Sequence, residues 1–134
     1  MENNQIEQYI ADINKYRAAA TKYDDESPGS LVQKVKYLTQ AYALMGRVSA
    51  YLDGNHKRIY VQRKRVYAEA KRDAKRGDKE NTAELAVLDL REQEVEAYER
   101  MMLWRNEYKS LAEYLYEMRL RVRIDMNMLN HQAN

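Results

Sequence analysis

A dense run of cations lies between residues 57 and 76 of the sequence. It contains nine Lys and Arg residues against two carboxylates, for a net charge of +7. On an α-helix with 100° per residue, eight of these nine cations fall in one arc of about 140°. We call these eight residues the basic face: Lys57, Arg58, Lys64, Arg65, Lys71, Arg72, Lys75 and Arg76. Tyr60 and Tyr67 flank the arc, a combination that suits a phosphate backbone whose bases are free to stack.

An acidic run follows the basic one and leaves a second interpretation open. Residues 78–99 contain eight carboxylates against two cations, for a net charge of −6. If the two runs lie side by side, their ion pairs neutralise part of the charge within the chain. The basic face is then either a nucleic-acid site or an internally neutralised, solvated surface.

Residues for enzymatic chemistry are scarce. The chain has no Cys, and its two His residues are His56 and His131. A metal site needs three or four convergent ligands, and no Gly-rich phosphate loop or Ser–His–acid arrangement is present. We therefore expect no enzymatic activity, no metal and no cofactor, and we expect His56 to be a residue of a helical seam.

Length and composition predict one helical domain over residues 1–134. The 134 residues are 45% hydrophobic and 33% charged, and they include four Gly and one Pro. The breaks predict an all-α fold with helices over residues 3–23, 30–76 and 82–129. The opening residues do not resemble a secretory leader, and no apolar run reaches membrane-spanning length, so we expect a cytoplasmic protein.

A sustained alternation of four- and three-residue steps marks the two longer helices. It runs from Leu31 to Ala70 and again from Ala83 to Leu129, and most of its positions are apolar. This is the coiled-coil period, and a short connection makes the two helices antiparallel neighbours. We therefore predict a long, coiled-coil-like antiparallel hairpin with a shorter N-terminal helix. In this register Arg63 lies opposite position 95, one residue from Glu94, and we predict an ion pair between Arg63 and Glu94.

The length of the second helix bears on assembly. A continuous helix of about 45 residues is roughly 68 Å long, far more than the size of a compact domain with this chain length. Either the helix breaks near Gly46 or Gly54, or the chain associates with itself. A second apolar stripe on this helix favours self-association, although the first helix can cover one stripe. The residues of this second stripe are Tyr37, Ala41, Leu44, Val48 and Tyr51.

The order of features resembles the UvsY family of phage recombination mediators. The resemblance is carried by the segments beginning at Lys36, Val61, Leu88, Tyr98 and Leu115, and it covers roughly residues 31–129. It implies a ring-forming, non-enzymatic protein that binds single-stranded DNA. Such a protein loads a recombinase onto DNA coated by a single-strand-binding protein, in the cytoplasm of the bacterial host.

The positions that match the family's basic segment are Arg63, Lys64, Arg65 and Tyr67. Together with the cationic arc, they give the candidate contacts to phosphates as Lys57, Arg58, Lys64, Arg65, Lys71 and Arg72, and the candidate stacking residues as Tyr60 and Tyr67. The expected partners are single-stranded DNA, a recombinase and further copies of the chain. The alternative is a helical protein–protein interaction module, such as a phage scaffold, an adaptor or an inhibitor of a host system, that does not bind DNA.

Overall fold

The computed structural model describes residues 3–133, and these residues form four α-helices. We label them α1 (Asn3–Ala20), α2 (Pro28–Asp73), α3 (Lys79–Ala86) and α4 (Leu88–Ala133). No strand occurs among residues 3–133, so the all-α prediction is confirmed. Helix α2 has 46 residues and is not interrupted at Gly46 or Gly54.

The chain divides into two compact units. Unit 1 comprises the described residues up to Ser49 together with those from Trp104 onward, and unit 2 comprises Ala50–Leu103. Helices α2 and α4 each contribute a segment to both units. The single domain expected over residues 1–134 therefore stays a prediction, and each unit is described by itself.

Unit 1 packs three helical segments around one apolar core. Ile6, Ile13 and Ala20 of α1 are buried, as are Ala41 and Val48 of the second apolar stripe on α2. These two positions of the stripe are therefore not available for self-association, whereas Tyr37 and Leu44 are half-buried. The expected seam is also present, with these residues buried: Leu31, Leu38, Met45, Leu111, Leu115 and Met118.

Polar and aromatic contacts fix the direction of the helices in unit 1. The rings of Tyr42 and Tyr108 stack with centroids 4.5 Å apart. Arg119 donates a hydrogen bond to the Thr39 hydroxyl at 3.0 Å. Sequence numbers fall along α4 as they rise along α2, so the two segments are antiparallel in this unit.

Unit 2 consists of α3 together with one segment of α2 and one segment of α4. Its buried apolar residues are Leu52, Ala83, Val87 and Met101. The predicted ion pair is present, with Arg63 Nε 2.5 Å from Glu94 Oε2. The rings of His56 and Tyr98 lie 5.5 Å apart. These two pairs show that the segments are antiparallel in unit 2 as well.

Helices α1 and α2 differ from their predicted bounds. Helix α1 ends at Ala20 rather than at residue 23, because residues 22 and 23 bond back only three residues, to Ala19 and Ala20. Helix α2 begins at Pro28 rather than at residue 30, since proline suits the first helical position and its missing N–H costs nothing there. The Ser30 hydroxyl does not cap α2; it accepts a hydrogen bond from the Asp24 N–H.

The connection after α2 also differs from the prediction. Helix α2 ends at Asp73 rather than at residue 76, and Gly77 then adopts a positive φ of 97°. Helix α3 begins at Lys79 rather than at residue 82, because Asp78 caps it. The Asp78 carboxylate accepts from the Asn81 N–H at 3.0 Å, which satisfies an otherwise free donor of the first turn.

The third predicted helix, over residues 82–129, is two helices. Val87 separates α3 from α4, with its N–H 3.3 Å from the Glu84 carbonyl. Helical bonding resumes when the Arg91 N–H donates to the Val87 carbonyl at 2.9 Å. Val87 remains fully buried, so the apolar spacing is retained across the break. Helix α4 then continues to Ala133, beyond the predicted end at residue 129.

None of the described helices contains a stretch that is both long enough and apolar enough to cross a membrane.

Candidate nucleic-acid interface

The basic face lies in unit 2, on the part of α2 that follows Gly54. Ile59 and Val66 are half-buried, whereas all eight cations of the basic face are exposed. The helix therefore turns its apolar positions inward and its cations toward solvent, as the helical period requires. Lys75 and Arg76 lie beyond Asp73, where α2 ends, so six of the eight cations are on the helix.

The structure brings three candidate phosphate contacts together around one shallow depression. Lys57, Arg58 and Arg65 line it with Val61 and Gln62, and its volume is about 500 Å³. Val61 is 63% exposed. Neither Val61 nor Gln62 was predicted as a site residue, although both fall within or beside the same helical arc. Their side chains form part of the surface between the cations.

The two candidate stacking residues differ in accessibility. Tyr60 is 41% exposed, and its ring lies 5.3 Å from the Arg63 guanidinium carbon and 5.1 Å from the Lys64 ammonium. Tyr67 is half-buried and lines a smaller depression with Glu84 and Arg91. Tyr60 is therefore the aromatic side chain that a base can reach more easily.

Several cations of the basic face have carboxylate neighbours. Lys57 pairs with Asp53 at 3.1 Å, and Arg72 pairs with Asp73 at 3.0 Å, both within α2. Lys71 lies 3.9 Å from Glu80 of the acidic run. These ion pairs are largely exposed to solvent, where such contacts contribute little and yield easily to a polyanion.

Other cations of the basic face pair with no carboxylate. No ion pair of Arg58, Lys64 or Arg65 is found within 4.0 Å in the part of the chain that the structure describes. Arg58 instead lies 5.7 Å from the centroid of the Tyr51 ring. Two ion pairs join the acidic run to residues 57–76 among the described residues. One involves Lys71 of the basic face, and the other involves Arg63 of the seam.

Arg63 has a different role from its neighbours Lys64 and Arg65. Its side chain is 20% exposed and that of Glu94 is 19% exposed, so the ion pair is partly shielded from solvent. A guanidinium held in this way is not free to bind phosphate. The sequence resemblance assigns Arg63 to the basic segment, whereas in the structure Arg63 forms an ion pair with Glu94.

The described residues include no site that could hold a metal. No group of three or more His, Asp or Glu side chains with the geometry of a metal site occurs among residues 3–133. His56, which we expected in the seam, is half-buried against Tyr98. The depression beside these two rings is lined by Arg91 and Glu99 as well as by the Arg63–Glu94 pair.

Comparisons of the chain with protein-family models, with curated proteins and with solved structures find no match. The basic face, with its exposed cations and Tyr60, is therefore the feature on which a function can be proposed.

Proposed function

We propose that this protein binds single-stranded nucleic acid, and specifically single-stranded DNA, through the basic face of α2. Lys57, Arg58, Lys64 and Arg65 contact the phosphates, with Lys71 and Arg72 extending the track toward the end of the helix. Tyr60 stacks on a base, and Tyr67 has a smaller share of the stacking. The protein is not an enzyme in this proposal.

The observation that carries the proposal is the exposure of Lys64 and Arg65 without a carboxylate partner among the described residues. An internally neutralised surface would require these side chains to contact the acidic run. Binding of a polyanion releases its condensed counterions, which favours binding to clustered, unpaired cations. The exposed ring of Tyr60 beside them favours a single strand, whose bases are unpaired and free to stack.

We extend the proposal to a recombination mediator on the resemblance in the order of sequence features to the UvsY family. The protein then acts as a homo-oligomer that helps to place a recombinase on DNA covered by a single-strand-binding protein. Copies held together through surfaces other than the basic face present several basic faces to one strand, and this multivalency raises the overall affinity above that of one face.

A pair of substitutions with a matched control tests the binding site. In Lys64→Ala/Arg65→Ala, we expect weaker binding of a fluorescent oligodeoxynucleotide and a salt dependence that is shallower by about 1.4 log units per log unit of salt. The control, Lys15→Ala/Lys109→Ala, removes the same charge from exposed positions of unit 1. Equal losses in the two proteins would contradict a localised site. Circular dichroism checks that both retain their helix content.

A second candidate is favoured by the outer surface of α4, where Leu88 is 51% and Val95 is 56% exposed. Exposed apolar side chains bordered by acids are typical of protein–protein interfaces. The protein would then be an interaction module without DNA binding, as a scaffold, an adaptor or an inhibitor. Absence of single-stranded DNA binding at low salt would leave only this candidate.

A further inference from the structure

The outer surface of α4 in unit 2 carries a second, unused seam. Leu88, Glu92, Val95 and Glu99 follow one another in steps of four, three and four residues. All four are exposed, and they line one shallow depression of about 630 Å³ together with Arg91 and Glu96. We call the four the acidic seam. Its spacing is that of a coiled-coil face in which apolar and acidic positions alternate.

The carboxylates of the acidic seam are not used within the described chain. Glu84 pairs with Arg91 and Glu94 pairs with Arg63, whereas Glu92 and Glu99 form no ion pair within 4.0 Å among residues 3–133. Two unpaired acids one heptad apart, alternating with exposed Leu88 and Val95, form a surface that lacks a cationic partner among the described residues.

The basic face of α2 has the complementary pattern. Arg58, Val61, Arg65 and Ala68 follow in steps of three, four and three residues, and all four are exposed. Cationic and small apolar positions alternate here as acidic and apolar positions alternate on α4. Three of these residues, Arg58, Val61 and Arg65, line the same depression.

We propose that the acidic seam of one copy docks on the Arg58–Ala68 strip of a second copy. The two patterns match layer by layer: Arg58 meets Glu92, Val61 meets Val95 and Arg65 meets Glu99. A constant offset of 34 residues gives all three layers. Each charged layer pairs opposite signs, and the apolar layer between them excludes water.

The pattern also fixes the relative direction of the two helices. A coiled-coil face has two core positions in each heptad. In both the acidic seam and the Arg58–Ala68 strip, charged residues occupy the same one of these positions and apolar residues occupy the other one. Parallel helices pair equivalent positions, so Arg lies opposite Glu and Val opposite Val. Antiparallel helices would place Arg65 opposite an apolar residue. The contact between copies is therefore parallel, unlike the antiparallel packing of α2 and α4 within each unit.

The contact joins different surfaces of the two copies. Such a heterologous contact leaves an acidic seam free on one copy and a basic strip free on the other, so assembly continues into a ring or an open filament. It also covers Arg58 and Arg65, which the proposed function assigns to DNA. Resting on that function, we infer that single-stranded DNA competes with the acidic seam and opens the contact.

Cysteine cross-linking tests the docking in the 134-residue chain, which has no cysteine of its own. Val61→Cys and Val95→Cys change side chains that are 63% and 56% exposed, so neither disturbs a core. We expect a mixture of the two variants to give covalent dimers on oxidation or with a short bifunctional maleimide, whereas each variant alone does not. The control pairs Val61→Cys with Leu103→Cys, which is 61% exposed on α4 but outside the register.

Each outcome of this experiment supports or overturns the contact. Cross-linking confined to the Val61–Val95 mixture supports it. A yield no higher than that of the Leu103 control overturns it, and efficient cross-linking of Val61→Cys alone would show a symmetric contact instead. Glu92→Arg/Glu99→Arg should abolish the cross-link, and Arg58→Glu/Arg65→Glu in the other partner should restore it.

Addition of an oligodeoxynucleotide separates this inference from the proposed function. Binding of the strand with a several-fold loss of cross-link supports competition, and binding with no loss overturns it. If the strand does not bind the wild-type protein at low salt, the proposed function fails, while cross-linking without DNA still decides whether the copies dock as described.

Discussion

The Arg63 guanidinium and the Glu94 carboxylate meet at 2.5 Å in unit 2, at positions where the α2 and α4 seams would otherwise be apolar. Both side chains are about four-fifths shielded from solvent. A charged pair at one seam position specifies register, because any slip leaves both charges without a partner. This pair sets the alignment that turns Lys64 and Arg65 toward solvent.

The ion pair can be tested by a double-mutant cycle. We expect Arg63→Ala or Glu94→Ala to lower the free energy of unfolding by about 1–3 kcal/mol, since each leaves a partly buried charge unpaired. Arg63→Leu/Glu94→Leu should recover most of the loss, because a packed apolar pair removes both desolvation penalties. Urea denaturation of the two single Ala variants and of Arg63→Ala/Glu94→Ala completes the cycle, and strictly additive single effects would show that the two residues do not interact.

The two glycines inside α2 should respond differently to alanine. A Cβ at Gly54 meets only the flexible end of Arg58, at 3.3 Å, so Gly54→Ala should stabilise the protein by up to about 1 kcal/mol. A Cβ at Gly46 meets the Tyr108 ring at 3.2 Å, and that ring is stacked on Tyr42. We expect Gly46→Ala to gain nothing or to lose stability. Equal thermal shifts in the two variants would contradict the close contact at Tyr108.

The loop before α2 should give unit 1 an acid-sensitive contact. Asp25 accepts a hydrogen bond from the Lys34 ammonium at 2.8 Å, and this contact lowers the pKa of Asp25 below its ordinary value of 3.8. Because the pKa is lower in the folded state, the contribution of Asp25 to stability is present above pH 3.8 and is lost as pH falls through the lowered pKa.

Asp25→Asn should therefore cost stability at neutral pH and show a smaller further loss on acidification. Chemical denaturation at a series of pH values from neutral to below 3.8 measures this difference. Lys34→Gln removes the main cause of the pKa shift and should reproduce the effect. Parallel stability curves for wild type and Asp25→Asn across this range would contradict the assignment.

Much of unit 2 follows from the spacing of its residues. The steps from Leu52 through Ile59 to Val66 predict a face that turns inward; Leu52 is buried and the other two are half-buried. The same spacing places Arg63 beside Glu94, as observed. The apolar spacing predicts the packing here because each of the two adjacent helices buries only one apolar stripe. That stripe determines which side of the helix faces inward.

The helix ends and the break at Val87 could not be predicted in this way. No Gly or Pro marks Val87, and its burial satisfies the same spacing whether or not the helix continues. Asp78 competes with the Asn81–Thr82 pair as a cap, and local sequence alone does not decide between them. Tyr60 is exposed whereas Tyr67 is half-buried, and this difference depends on tertiary packing against α3 and α4, which local sequence does not specify.

Stacking by Tyr60 should separate single-stranded from duplex binding. We expect Tyr60→Leu to weaken binding of single-stranded DNA by about 1–3 kcal/mol, the usual contribution of one base stacked on an aromatic ring. Duplex binding, which depends on phosphate contacts, should change less. Tyr116→Leu is the control, since this residue is 66% exposed and belongs to unit 1, whereas the basic face belongs to unit 2. Equal effects of the two changes would rule out stacking at Tyr60.

The salt dependence of single-stranded DNA binding by the wild-type protein tests the role of the basic face most directly. If the six cations of the face that lie on α2 neutralise six phosphates, the logarithm of the affinity falls with the logarithm of salt at a slope of about −4. Lys64→Ala/Arg65→Ala should reduce that slope. An affinity independent of salt, or no binding at low salt, would contradict the account.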